Sequence, residues 1–158
     1  MILGCIFSFM KPEYIFTTIT IIIGLFVAFT AYNQYQLSKE KFKLDMFDKR
    51  YGVYKNTQIF LTKILRDAKI KMDDIFEFRA CTQDSVFLFK EDISNYLENI
   101  DNKALDLWEI HENLDGVPKG KERSEMCRKQ TELLGWLRSQ LPELKNKFAP
   151  YLKFKTWK

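Results

Sequence analysis

Thr17 to Arg50 read TTITIIIGLFVAFTAYNQYQLSKEKFKLDMFDKR. Hydrocarbon gives way to dense charge within a few residues. Nothing between the two halves signals a hinge. No proline falls between Pro12 and Pro118, and from Pro12 to Asp115 the only glycines are Gly24 and Gly52. A membrane-length segment therefore runs without punctuation into a charged one, and both predict helix.

The apolar half decides the architecture. From Tyr14 to Tyr35 there are 22 residues without a formal charge. At about 1.5 Å rise per residue this run covers roughly 33 Å, enough to cross a bilayer core. It is longer than the apolar stretch of a signal peptide, and neither a basic leader nor a small-residue cleavage site accompanies it. The sequence thus predicts an apolar N-terminal segment over 1–13, a transmembrane helix over 14–35 and a cytosolic helical domain over 36–158. Residues 1–10 are apolar but too short to cross a bilayer alone.

Orientation follows from the flanking cations. Only Lys11 precedes the span, whereas Lys39, Lys41, Lys43, Lys49 and Arg50 follow it. The positive-inside bias puts the C-terminal domain in the cytoplasm, so the expected location is a bacterial inner membrane crossed once. Tyr14 on one side and Tyr32 and Tyr35 on the other suit the interfacial belt.

The span has an asymmetric circumference. At 100° per residue, Thr17, Thr20, Gly24, Ala28, Ala31 and Tyr35 share a strip about 80° wide. Ile19, Ile23, Phe26 and Phe29 lie opposite. Small residues at i, i+4 spacing let helices approach closely, and hydroxyls can bridge between them. This strip is the candidate helix-packing or pore-lining face of a homo-oligomer. A lone anchor with chance clustering fits the same residues. One span cannot enclose a channel, so any pore requires several copies.

Beyond the span the helical pattern continues. Leu37, Leu44, Tyr51, Gln58 and Leu65 recur every seven residues, as do Glu40, Phe47, Tyr54, Leu61 and Ala68. These two series predict a heptad stripe, and one helix from Tyr14 to near Lys71, about 85 Å long. A continuous helix would carry rotation or tilt between domain and membrane, and a simple bundle beside the membrane fits equally. Met72-Asp73-Asp74 ends that helix or starts a short one, and Ile75–Phe89 reads as helix and loop. Lys90–Leu114 has an amphipathic pattern, with Ile93, Tyr96, Leu97, Ile100, Ala104, Leu107 and Trp108 on one side. DGVPKGK at Asp115–Lys121 is a loop. A last helix runs from about 121 to 148, with Leu133, Trp136, Leu137, Leu141 and Leu144 inward and Pro142 expected to kink it or begin a new turn. A basic tail occupies 149–158. The fold class is all-α: a transmembrane helix continuing into a helical bundle.

Chemistry-bearing motifs are scarce. Apolar residues are 46% of the 158 positions and charged residues 29%, which excludes a disordered tail. Cys5, Cys81 and Cys127 lack metal-ligand or disulfide spacing. His111 is the only histidine. Asp73-Asp74 and Glu91-Asp92 sit at helix starts, where carboxylates satisfy free N–H groups. Phosphate-binding glycine loops and the zinc-protease helix motif are absent. The sequence predicts no enzyme, no cofactor and no metal.

Basic residues remain. Lys119, Lys121, Arg123, Arg128 and Lys129 follow the loop, and Lys153, Lys155 and Trp157 lie in the tail. They are the candidate ligand- or lipid-binding residues. Anionic lipid heads, single-stranded nucleic acid held by cations and stacked on aromatics, and an ordinary solvated face all fit them.

These motifs resemble a group of small bacterial single-pass membrane proteins with a juxtamembrane helix of the KLDMFDKRYGVY kind, here Lys43–Tyr54. The resemblance continues through FLFKEDISNYLENIDNKALDLW (Phe87–Trp108), PKGKERSE (Pro118–Glu125) and LLGWLRSQLPELKNKFAPYL (Leu133–Leu152). It brings no catalytic residues. In size, topology and charge the chain is also similar to membrane effectors of anti-phage systems such as the Hailong membrane subunit. That likeness implies an oligomeric ion channel controlled by a nucleotide-derived oligomer, with a nucleotidyltransferase as partner. A passive anchor or scaffold for a cytosolic partner protein is the alternative.

Overall fold

A computed structural model describes residues 12–114 and 116–153. The described elements are helical: α1 (Pro12–Asp67), α2 (Met72–Thr82), α3 (Ser85–Leu88), α4 (Glu91–Leu114) and α5 (Lys121–Leu152). The all-α expectation therefore holds. The apolar segment over 1–11, together with Lys155 and Trp157, lies outside the described residues. The chain divides into two compact units, Met1–Leu44 and Asp45–Lys158, and α1 contributes to both.

The first unit holds the apolar part of α1. Its best 18-residue window has a mean hydropathy of 2.1, and none of that window is buried. The helix is long and apolar enough to cross a membrane.

The second unit is an up-and-down bundle. Lys63 on α1 meets Asp74 at the start of α2, and Arg50 on α1 meets Leu88 in α3, so α2 and α3 run back along α1. The helix α4 then runs away from Asp92, which touches Tyr151, and α5 returns to it. The core joins α1, α2, α4 and α5 through Leu61, Ile64, Ile75, Ile93, Ile100, Leu107, Leu137, Leu144 and Phe148, with Leu88 of α3 packed against it. Removing a Leu or Ile side chain from water in this way contributes about 1.5–3 kcal/mol each. Phe60 on α1 stacks on Phe78 of α2 with centroids 4.2 Å apart.

The buried face of α1 differs from the heptad stripe. The buried residues are Val53, Thr57, Phe60, Leu61 and Ile64, at i, i+4, i+7, i+8 and i+11. Leu37, Leu44 and Tyr51 are exposed. A straight α-helix drifts about 20° per heptad against a seven-residue repeat, and a bundle buries a broader stripe than a two-helix seam. Only Leu61 of the expected series reaches the centre. Thr57 enters the core without a lost hydrogen bond because its hydroxyl donates to the Val53 carbonyl at 2.8 Å.

Helix α1 also stops earlier than the predicted Lys71. Ala68 takes a φ of 49°, which reverses the chain after Asp67. That turn lets Ile70 bury against the core. Asp74 then accepts from the Lys71 backbone N–H and from the Lys63 ammonium, at 3.3 and 2.6 Å. One carboxylate thereby starts α2 and ties it to α1. Arg79 and Asp101 form a two-pronged pair between α2 and α4, with contacts of 2.7 to 2.9 Å.

Helix α5 continues through both Pro142 and Pro150 to Leu152, past the predicted end at Phe148. Pro142 has no N–H for the Arg138 carbonyl, and Pro150 none for that of Asn146. Packing supports this stretch instead. Leu137, Leu144 and Phe148 are buried, and the Tyr96 hydroxyl donates to the Gln140 carbonyl at 3.2 Å. Leu133, Trp136 and Leu141 are half-buried at the margin.

Candidate functional site: an uncovered helix and a divided basic surface

In the first unit, Thr17, Thr20, Gly24, Ala28, Ala31 and Tyr35 are all exposed. A Cβ added at Gly24 would meet no atom within 4 Å. Among the described residues no side chain fills the small-residue strip there. The Thr20 hydroxyl donates to the Phe16 carbonyl at 2.9 Å, and Thr18 and Thr30 bond to α1 carbonyls in the same way. Of these three only Thr20 lies on the strip, and Gly24, Ala28 and Ala31 beside it leave room for close backbone approach.

The basic candidates do not converge. Arg123 is committed to structure: its guanidinium donates to the Leu114 and Val117 carbonyls at 2.7 and 2.8 Å. It thereby holds the end of α4 and the start of the connection to α5. Arg128 pairs with Glu132 at 2.7 Å and lies 3.7 Å from Glu125. Lys129 borders a groove of about 640 Å³ between α4 and α5. Lys103 also lines that groove, but so do Asp106, Glu109 and Glu132. Carboxylates outnumber ammonium groups there, which disfavours a phosphate-rich occupant. Lys119 and Lys121 are exposed at the beginning of α5, and Lys153 is exposed at its end. A helix of this length separates its ends by about 45 Å. The two groups therefore form two surfaces.

Sequence reasoning misses the cluster beside Lys153. The Arg50 Nε donates to the Leu88 carbonyl at 2.9 Å. Its guanidinium carbon lies 5.9 Å from the ring centroids of both Phe89 and Tyr151. Tyr151 in turn donates to Asp92 at 2.9 Å. Burial and the Asp92 carboxylate both raise the Tyr151 phenol above its usual range. Four elements meet here, at the end of the bundle where α1 enters it. On sequence alone Arg50 counts only as one of the cations after the span. The sole hint is an aromatic excess around Phe89 and Tyr151.

Elsewhere, Cys81 and Cys127 are free and exposed. Tyr96 is pushed well above the ordinary phenol range, first by burial and then by the Glu143 charge.

No family model, curated protein or solved structure matches this chain.

Proposed function

We propose that this protein is an oligomeric effector of the bacterial inner membrane, a ligand- or partner-controlled ion channel serving anti-phage defence. The bundle faces the cytoplasm, as the Lys and Arg bias of the flanks favours. The observation that carries the reading is α1 itself. Among the described residues nothing covers its apolar part, and the same helix supplies part of the bundle core without a break. Several copies would pack through Thr17, Thr20, Gly24, Ala28, Ala31 and Tyr35. A change in the bundle reaches the span through continuous helix, where a flexible linker would absorb it.

The controlling signal is a nucleotide-derived oligomer or a protein partner, with a nucleotidyltransferase as its source. Lys119 and Lys121, exposed beside the start of α5, suit an anionic ligand. Lys153, beside the entry of α1, suits anionic lipid heads.

The test is assembly and conductance of the full chain. Light scattering corrected for detergent should give a discrete assembly, and reconstituted vesicles should leak ions. Substituting both Gly24 and Ala28 with leucine should abolish both. Unchanged mass and leakage in that variant would sink the strip as the interface. A passive anchor is the competing reading, favoured by threonine hydroxyls that bond within α1 and need no neighbour. An unrelated span in place of residues 14–35 would preserve an anchor's function and destroy a channel's.

A further inference from the structure

One face of the bundle combines a groove, an exposed aromatic ring and charges of both signs. Lys49, Gly52, Asn56, Ile59 and Lys63 lie along one side of α1, at i, i+3, i+7, i+10 and i+14. They form one wall of a groove whose other wall is α2 and α3. The groove contains two cavities of about 450 and 220 Å³, and Asn56 and Cys81 line both.

The larger cavity carries a projection and a recess side by side. Phe87 is 85% exposed on its rim, the most exposed large apolar residue of the bundle. Gly52 forms part of the floor, and a Cβ placed on it would touch nothing within 4 Å. The ring and the open glycine shelf lie side by side on the same cavity. A two-fold interface needs both features on a single patch, because residue i meets j of the partner while j meets i.

Charge fixes the direction of pairing. Lys49 stands on the α1 wall and Asp84 on the α2–α3 wall of the same cavity. Among the described residues neither has an ion-pair partner. Farther along, Lys63 on the α1 wall is already paired with Asp74 across the groove at 2.6 Å, and Glu77 adds a further carboxylate to the α2 wall. A face that is positive along one wall and negative along the other complements its own copy only when the two-fold axis runs along the groove. The α1 helices of the pair then run in the same direction. Two chains inserted in one membrane with the same orientation satisfy that condition.

We infer that the groove between α1 and α2–α3 binds the same groove of a second copy. Phe87 of each chain seats on the Gly52 shelf of the other, and Lys49 of each faces Asp84 of the other. The contact extends the oligomer reading above to a second surface, and it is independent of any pore.

The test is capture between differently tagged full-length chains in detergent, repeated with leucine at positions 24 and 28 so that the span contact is removed. Lys49→Glu alone and Asp84→Lys alone should each reduce self-capture at least tenfold, because both contacts of the pair become repulsive. A tagged Lys49→Glu chain should nevertheless capture Asp84→Lys chains at the wild-type level, because both contacts are then opposite in sign. Rescue inside one chain could not produce that result. Phe87→Ala, at an exposed position, should reduce capture severalfold with an unchanged melting temperature. Self-capture by either single variant at wild-type level, or failure of the mixed pair, would overturn the inference. Loss of capture in the wild-type groove whenever positions 24 and 28 are leucine would do so as well. Loss of vesicle leakage with groove capture intact would count against the channel reading alone.

Discussion

The Tyr151 hydroxyl donates a 2.9 Å hydrogen bond to the Asp92 carboxylate, joining residues 59 positions apart. The same ring lies against Arg50, which binds the Leu88 carbonyl. The last turn of α5, the start of α4, α3 and the entering part of α1 therefore share one fastening. Tyr151→Phe keeps the ring and removes the bond. Urea unfolding should show a loss of about 1 kcal/mol. Arg50→Ala removes the carbonyl donor and the cation on both rings, so its loss should exceed that of Tyr151→Phe.

Two phenols set the alkaline limit. Tyr151 and Tyr96 are both raised in the folded state, chiefly by burial. Below the unfolded phenol pKa, about 10, each is protonated in both states and its stabilising contribution is complete. As pH rises above that value the unfolded chain releases its protons first, and stability falls. Melting temperature should therefore decline above about pH 10, and Tyr96→Phe should flatten the decline more than Tyr151→Phe. A decline of equal slope in both variants would contradict the assignment.

At the acid end the relevant group is Asp74. Its hydrogen bond from Lys63 holds the carboxyl below its ordinary value. The contribution is present above the unfolded pKa and disappears as pH falls through the lowered one. Asp74→Asn should make the bundle less stable at neutral pH and less sensitive to acid from about pH 4 downward. Thermal melts across that range would show converging curves for the two proteins.

Ala68 offers a stabilising change. Its φ of 49° is a left-handed conformation that costs an L-residue about 1–2 kcal/mol, and glycine adopts it freely. Ala68→Gly should raise unfolding free energy by about 1 kcal/mol despite removing a methyl group. Leu37→Ala should leave it unchanged, whereas Ile64→Ala should lower it by about 2–5 kcal/mol.

Much of this fold is legible in the sequence because its signals are local. The apolar run of α1 and the amphipathic spacing of α4 require only the positions of hydrocarbon side chains. Ile93, Tyr96, Leu97, Ile100, Ala104 and Leu107 are all buried as that spacing predicts. The heptad reading of α1 goes astray for a physical reason. Tyr51 and Leu44 are apolar at the right interval, but only the positions of α2, α4 and α5 decide which side of α1 is covered. Pro142 and Pro150 show the same limit. Local chemistry opposes helix there, and packing around Leu144 and Phe148 overrides it. The candidate site was the least legible part. Arg123 looks like any loop cation until the carbonyls of Leu114 and Val117 are placed around it. Gly52 reads as a weak point in a helix until Phe87 and Asp84 are brought beside it.

The antiparallel course of α4 and α5 has a practical consequence. α4 extends about 35 Å from its Asp92 end, so its connection to α5 lies at the pole of the bundle remote from the entry of α1. Val117 is anchored by Arg123, while Pro118, Lys119 and Gly120 are exposed. A fluorescent protein spliced between Lys119 and Gly120 would therefore be carried clear of the α1–α2 groove. Such a fusion gives a way to count copies in single diffraction-limited spots while that groove stays unobstructed.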